Sequence, residues 1–199
     1  MDDNVKQAMA KWPNVPHCYG WLALDARGVW RMRDERAQHL NLPGDKVTQP
    51  TLLGFINRNY DVDERGCWYF QNGPQRVYLN LEATPFIART DPVEGLLVQT
   101  GEALGSLDAA FLTGDGALIV QSGRKVAQVD DRDVAQLLAM LELDGQGVSD
   151  EALMAWLEKP AGRLTLPYRT AKVDVIPLGS ANVAQRFGFV RLPQPAVTA

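Results

Sequence analysis

Residues 67–88, CWYFQNGPQRVYLNLEATPFIA, constrain the fold of this chain more than any other stretch. From Arg76 the residues alternate: Val77, Leu79 and Leu81 fall on one side of an extended backbone, and Arg76, Tyr78 and Asn80 on the other. Ahead of them Trp68, Tyr69 and Phe70 have the aromatic content of a strand. Gln71, Asn72, Gly73 and Pro74 supply turn chemistry, because Asn and Gly tolerate positive φ and Pro fixes its own at about −65°. The stretch therefore reads as a β-hairpin whose second strand buries one face and offers a polar, aromatic face to something else. That is a fold and a surface for a partner. It is not a reaction.

Composition removes several function classes. The chain has 199 residues, 46% hydrophobic and 22% charged, enough to bury one large core or two small ones. A formal charge of −4 gives no overall basic field, so nucleic acid is not an expected partner. No apolar run approaches the roughly 18–20 residues of a membrane span, and the start, MDDNVKQAMAKW, lacks the basic and apolar regions of a signal peptide. Cys18 and Cys67 make neither a disulfide framework nor a zinc cluster, so a cytoplasmic chain with two reduced thiols is expected.

Along the chain, residues 5–12 suit a short helix stopped by Pro13. Residues 21–24 and 29–32 flank a four-residue loop as a hairpin, and charged residues 34–38 read as exposed. Thr48 is the expected cap of a helix that carries Leu52, Phe55 and Ile56, with Pro50 in its first turn. Gly54 inside it suggests close packing against a strand. Strands follow at 96–99, 110–112, 117–120 and 125–129. A helix capped by Asp130 or Asp131 is expected to run through Leu143, and a second, capped by Ser149, to stop at Pro160. A third hairpin covers 163–168 and 171–176, a short helix 181–187, and the tail 192–199 reads as loose.

The order hairpin, helix, hairpin occurs twice. Gly28 and Gly116 close equivalent loops at an offset of 88. Residues 68–70 match 164–166, and Arg76-Val77 matches Lys172-Val173, at an offset of 96. The expected fold is α+β: two related hairpin–helix–hairpin modules packed together, residues 1–95 and 96–199. The segments GWLALDARGVWRMRDE, TLLGFINRNY and CWYFQNGPQRVYLNLEATPFI resemble the amino-terminal half of an uncharacterised family of conserved proteobacterial proteins, best over residues 12–89. The element order resembles, more distantly, another uncharacterised bacterial family of repeated α+β motifs, for which a signalling role has been suggested. The resemblance implies a bacterial, cytoplasmic protein and carries over no catalytic residue.

Chemistry-bearing motifs are few. His17-Cys18 are neighbours on an extended backbone and so point to opposite faces, which disfavours a dyad. The segment DVDERG opens like a calcium loop but places Arg65 where an oxygen ligand belongs, so it reads as a solvated turn. No cofactor motif, nucleophile elbow or metal-ligand spacing stands out. The arginines are more informative. Arg31 and Arg33 share a face if their strand is regular, as do Arg76, Tyr78 and Asn80, and Asn57 and Arg58 lie in the helix between. If those strands are neighbours, these seven residues form a ligand-binding patch suited to a phosphate, a carboxylate or an acidic peptide. Against this, Asp34, Glu35, Asp61, Asp63 and Glu64 are near in sequence and would neutralise ordinary surface arginines.

The leading reading is a non-enzymatic cytoplasmic regulatory or sensory module, without cofactor, that binds a small anionic molecule or a protein and neither nucleic acid nor membrane. The alternatives are a hydrolase using carboxylate-activated water and a structural or assembly protein with Tyr78 as interface material.

Overall fold

In the computed structural model, which describes residues 1–195, the alternating stretch becomes the middle of a six-stranded sheet. Its unit comprises Met1–Pro85 and the stretch from Gly188 on, while Phe86–Phe187 forms the other. The first unit runs α1 (Asp3–Lys11), β1 (Cys18–Leu24), β2 (Trp30–Met32), α2 (Glu35–His39), β3 (Asp45–Lys46), α3 (Pro50–Arg58), β4 (Tyr60–Val62), β5 (Trp68–Asn72) and β6 (Gln75–Leu81). Its sheet order is β3-β2-β1-β6-β5-β4, with β1 and β6 parallel at the centre. Leu22, Leu24, Trp30, Phe70, Leu79 and Leu81 are buried, and α3 covers their face. There Phe55 packs edge-on against Phe70 at 5.3 Å, and Asn57 Oδ1 accepts the Trp30 indole N–H at 2.9 Å.

The second unit runs β7 (Phe86–Asp91), β8 (Gly95–Val98), β9 (Ala109–Thr113), β10 (Leu118–Ser122), β11 (Lys125–Val129), α4 (Asp131–Leu138), β12 (Glu142–Leu143), β13 (Gln146–Gly147), α5 (Asp150–Glu158), β14 (Leu164–Tyr168) and β15 (Ala171–Leu178). A 3-10 turn at Ser180–Asn182 leads into α6 (Val183–Phe187). The nine-stranded sheet has the order β13-β12-β14-β15-β9-β10-β11-β7-β8.

The two units are related, and the relation extends to the register. Within β1–β2, Leu24 pairs Trp30 and Leu22 pairs Met32; within β9–β10, Leu112 pairs Leu118 and Ala110 pairs Val120, each shifted by 88. Phe70 pairs Val77 in β5–β6, and Leu166 pairs Val173 in β14–β15, shifted by 96. The parallel join repeats as well: Leu22 opposite Leu79 becomes Ala110 opposite Val175. Residues 164–166 thus occupy the strand equivalent to 68–70. In each unit an antiparallel hairpin, β1–β2 or β9–β10, is followed by helix and then by a later hairpin, β5–β6 or β14–β15, whose last strand lies parallel to the first strand of the earlier hairpin. This is a mixed α+β fold of two related modules.

Several sequence expectations change. The helix after Asp130 ends at Leu138, because Glu142 and Leu143 leave it to pair with Thr165 and Leu164. Leu141 is buried but lies beyond the helix. The cap of α3 is Gln49 rather than Thr48, without a side-chain cap bond. A Cβ on Gly54 would meet Arg58 Nη1 at 3.1 Å and no strand, so the glycine is not there for close strand packing. The charged stretch after Asp34 folds into α2, whose first turn Asp34 caps by accepting the Ala37 N–H at 2.7 Å. Residues 86–95, expected in the first module, belong to the second unit, where β7 joins the nine-stranded sheet through the parallel β7–β11 pair. Residues 188–195 return to the first unit, where the Leu81 N–H donates to Arg191 O at 2.8 Å. The loose tail expected at 192–199 lies partly outside the described residues; within them Pro193 is buried. Among the described residues no helix is long and apolar enough to cross a membrane.

Candidate functional site

The face of the first sheet opposite α3 is where the chain concentrates polar chemistry. Register places Asp61, Tyr69, Tyr78 and Tyr19 in one row across β4, β5, β6 and β1. Tyr19 stacks on Tyr78 with ring centroids 4.7 Å apart, and Tyr69 meets Tyr78 edge-on at 5.7 Å. Tyr69 and Tyr78 are buried. The Tyr78 hydroxyl donates to Asp63 Oδ2 at 3.0 Å. Asp63, in the β4–β5 turn, also accepts the backbone N–H of Arg65 and of Cys67 and the Nε of Arg65.

Two guanidiniums flank this row. Arg65 lies 5.4 Å from the Tyr78 ring centre, and Arg76 lies 4.5 Å from that of Tyr69. Both guanidiniums favour the ionised Tyr78 phenol, Arg76 more than Arg65, without outweighing its burial. Arg65 is otherwise spent on Asp63 and on the Gln194 carbonyl at 3.4 Å. Arg76 is half-buried and has no carboxylate within ion-pair distance among the described residues. Opposite it in register, Gln71 is buried and its Oε1 has no hydrogen-bond partner. His17, one residue before β1, completes the group: Gln75 Nε2 donates to Pro16 O at 2.9 Å, which ties this lead-in to β6, and the His17 ring meets Tyr78 edge-on at 5.6 Å.

The titrations follow from this packing. Burial opposes ionisation of Asp63, but the Cys67 N–H, Tyr78 and Arg65 hold its carboxyl below the usual range. Burial, with the hydrogen bond to Asp63, pushes the Tyr78 phenol up, and burial followed by the Asp61 charge does the same to Tyr69. Burial likewise raises the Cys67 thiol. His17 is held below its ordinary value, first because its ring loses water against Tyr78, then by the charges of Arg76 and Arg65, which Asp63 only partly offsets. The phenols and the thiol thus stay protonated at neutral pH, and the local field at His17 is cationic.

Family model DUF2944, described as "Protein of unknown function (DUF2946)", matches residues 1–194. The chain belongs to that family. No curated protein matches it. Among solved structures it is similar to a DUF1285 family protein from Silicibacter pomeroyi DSS-3, at 14% identity over 82% of this chain and 84% of that one, with a TM-score of 0.51. At that identity the likeness concerns the fold, and it is consistent with an uncharacterised family that has a distant relative in another.

In this DUF2944 chain the seven expected site residues do not gather in one place. Arg76 and Tyr78 lie within the cluster, and Asn80 follows on the same face, in a row with Ala23 of β1, Arg31 of β2 and Lys46 of β3. Strand β1 separates β2 from β6, and Arg31 is paired with Asp25 at 2.9 Å. Arg33 is buried and donates to the carbonyls of Leu42 and Ala37 and to Asn41 Oδ1, which organises the loop after α2. Asn57 and Arg58 belong to α3 on the opposite face, where Arg58 pairs with Asp2 at 3.2 Å.

His17, Tyr19, Asp63, Arg65 and Tyr69 were not among the expected site residues. The signal for Asp63 was in DVDERG, where an Asp two and four residues ahead of turn N–H groups is an Asx turn. That for Tyr19 was masked by a bulge at Gly20 and Trp21, where the register moves from Tyr19–Tyr78 to Leu22–Leu79. A separate depression of about 400 Å³ lies between Met32, Asp34, Leu42, Pro43 and Asp45, away from the aromatic row. Among the described residues no group of His, Cys, Asp and Glu is arranged to hold a metal ion.

Proposed function

We propose that the first unit is a non-enzymatic binding module, regulatory or sensory in role, that holds an anionic group of a small molecule or partner against Arg76, with Arg65, His17 and the tyrosine hydroxyls at its rim. The observation that carries this reading is Arg76 itself, a half-buried guanidinium over the Tyr69 ring with no carboxylate within ion-pair distance among the described residues. Such a donor fork, partly stripped of water, suits a phosphate or carboxylate oxygen pair.

The duplication supplies an internal control. Positions equivalent to Asp61, Tyr69, Tyr78 and Arg76 in the second unit are Glu142, Thr165, Asp174 and Lys172. There the cations are matched: Lys172 pairs with the half-buried Glu142 at 2.5 Å, and Arg163 with Asp174, both exposed, at 2.6 Å. The same register therefore carries a neutralised, solvated face in one unit and an aromatic face with an unmatched arginine in the other. Asp63 accepts four hydrogen bonds and is spent as a scaffold, which weighs against its activating a water for hydrolysis.

The test is an NMR titration of the full chain with inorganic phosphate. Saturable shifts at Tyr19, Tyr69 and Tyr78 are expected, weakened at least about tenfold by Arg76→Ala, the loss of one charge-assisted contact. Equal affinity of wild type and Arg76→Ala would remove this site from the reading.

A further inference from the structure

Resting on the reading above, we propose that the site selects a doubly charged oxyanion, a phosphate monoester or its like, over a carboxylate, and that His17 takes up a proton as this dianion binds. The geometry supplies the argument. Cys18 is opposite Val77 in the parallel pair, so His17 stands beside Arg76 at the start of β6, its ring against Tyr78. The charged and titratable groups facing it are Arg76 and Tyr78 from β6, Asp63, Arg65 and Cys67 from the β4–β5 turn and its end, and Tyr19 from β1. Asp61 is three strands away from β1 in the sheet order, roughly 14 Å at the ordinary strand spacing, and so is largely screened at physiological salt.

The charges of this group sum simply. Arg65 and Arg76 against Asp63 leave one net positive charge while His17 is neutral. A carboxylate cancels that charge and gives His17 no reason to protonate. A dianion leaves one negative charge unbalanced, and protonation of His17 removes it while adding an N–H donor. This arrangement resists that proton, because the ring edge has lost water against Tyr78 and two guanidiniums lie close by. Dianion binding and proton uptake are therefore linked, and the linkage distinguishes the ligand classes.

Sulfate is a suitable probe because it stays doubly charged across the working range, and acetate is its singly charged counterpart. Affinity of the full chain for each is measured from pH 6 to pH 8, with His17 followed by its ring-proton shifts. Sulfate affinity should be highest at the acid end and fall as pH rises through the His17 pKa of the bound state. Each pKa unit gained on binding corresponds to about a tenfold change in affinity. The His17 pKa should rise on adding sulfate and stay in place with acetate. His17→Gln should retain sulfate binding at pH 8 and lose the pH dependence. Sulfate binding that is flat with pH, or a His17 pKa that sulfate does not move, overturns this proposal alone. Failure of both anions and of inorganic phosphate to bind at any pH overturns it together with the anion-binding reading beneath it.

Discussion

Leu79 and Arg76 stand three residues apart on one strand and on opposite faces of it, so they answer to different measurements. Leu79 is fully buried, and Leu79→Ala should cost roughly 2–5 kcal/mol in a denaturant titration. Arg76→Ala should leave the melting curve nearly unchanged, within about 1 kcal/mol, and show its effect in the phosphate titration. Asp63 should behave like neither. Its carboxylate holds two backbone N–H groups, the Tyr78 hydroxyl and Arg65, and its side chain is 4% exposed. Asp63→Ala should therefore destabilise by roughly 1–3 kcal/mol or more. Because its folded pKa lies below the ordinary 3.8, the stability it supplies is complete above that value and is lost as pH falls through the folded pKa. Acid unfolding of wild type should accordingly be steeper below pH 3.8 than that of Asp63→Asn, and parallel acid limbs would contradict the assignment. Period 2 made the partition of β6 legible in advance, since it needs only backbone geometry. It did not reveal that Tyr78, on the polar side, is buried, because that depends on Tyr19 and Tyr69 brought in from other strands. It placed Asn57 and Arg58 near the patch because nothing in a helix pattern says which face of a sheet the helix will cover.

Strands were more legible than helix ends, for a physical reason. Hairpins are local, and turn residues such as Gly73 and Gly116, both at positive φ, mark them directly. The end of α4 is decided by β14, more than 20 residues later in the chain, whose open edge recruits Glu142 and Leu143 from a helix-compatible sequence. The returning segment 188–195 is likewise invisible to local patterning. It is held by a parallel bridge between Val190 and Cys67 and by the Val190 N–H to Gly66 O at 2.9 Å. Gly66 makes that approach possible: its φ is +77°, and a Cβ there would come within 2.1 Å of Gly188 O. Gly66→Ala should displace the segment from the β4–β5 turn. The expected readout is loss of hydrogen-exchange protection at the Val190 and Leu81 amides while that of Val120 in the second unit persists. Retained protection at Val190 would show that the backbone absorbs the substitution.

At the scale of the molecule, one motif is used twice with an identical core register, and the second use is inserted into the first. Residues 86–187 are continuous, whereas the first unit is completed only by residues 188–195. The repeat was readable because offsets of 88 and 96 survive in turn glycines and alternating apolar positions. The insertion was not, because the return of the chain rests on backbone hydrogen bonds, and a turn glycine such as Gly66 does not reveal which segment packs on it. The Leu81 N–H to Arg191 O bond at 2.8 Å, joined by the Arg191 guanidinium on Glu82 O, brings the two ends of the first unit together. Three residues separate Leu81 from Pro85, and two separate Gly188 from Arg191, so a short Gly-Ser linker spans the gap left when 86–187 is removed. Such a chain retains all six strands of its sheet, α3 and the aromatic row. It should fold cooperatively and bind inorganic phosphate with the Arg76 dependence of the full chain. The same chain cut at Pro85, without residues 188–195, leaves the β4–β5 turn and the Arg65 contact to Gln194 unsupported. It should melt lower and bind more weakly. If both versions fold and bind alike, the returning segment is a passive end of the chain; if the linked version fails to fold while 86–187 folds alone, the first unit depends on the inserted one for its stability.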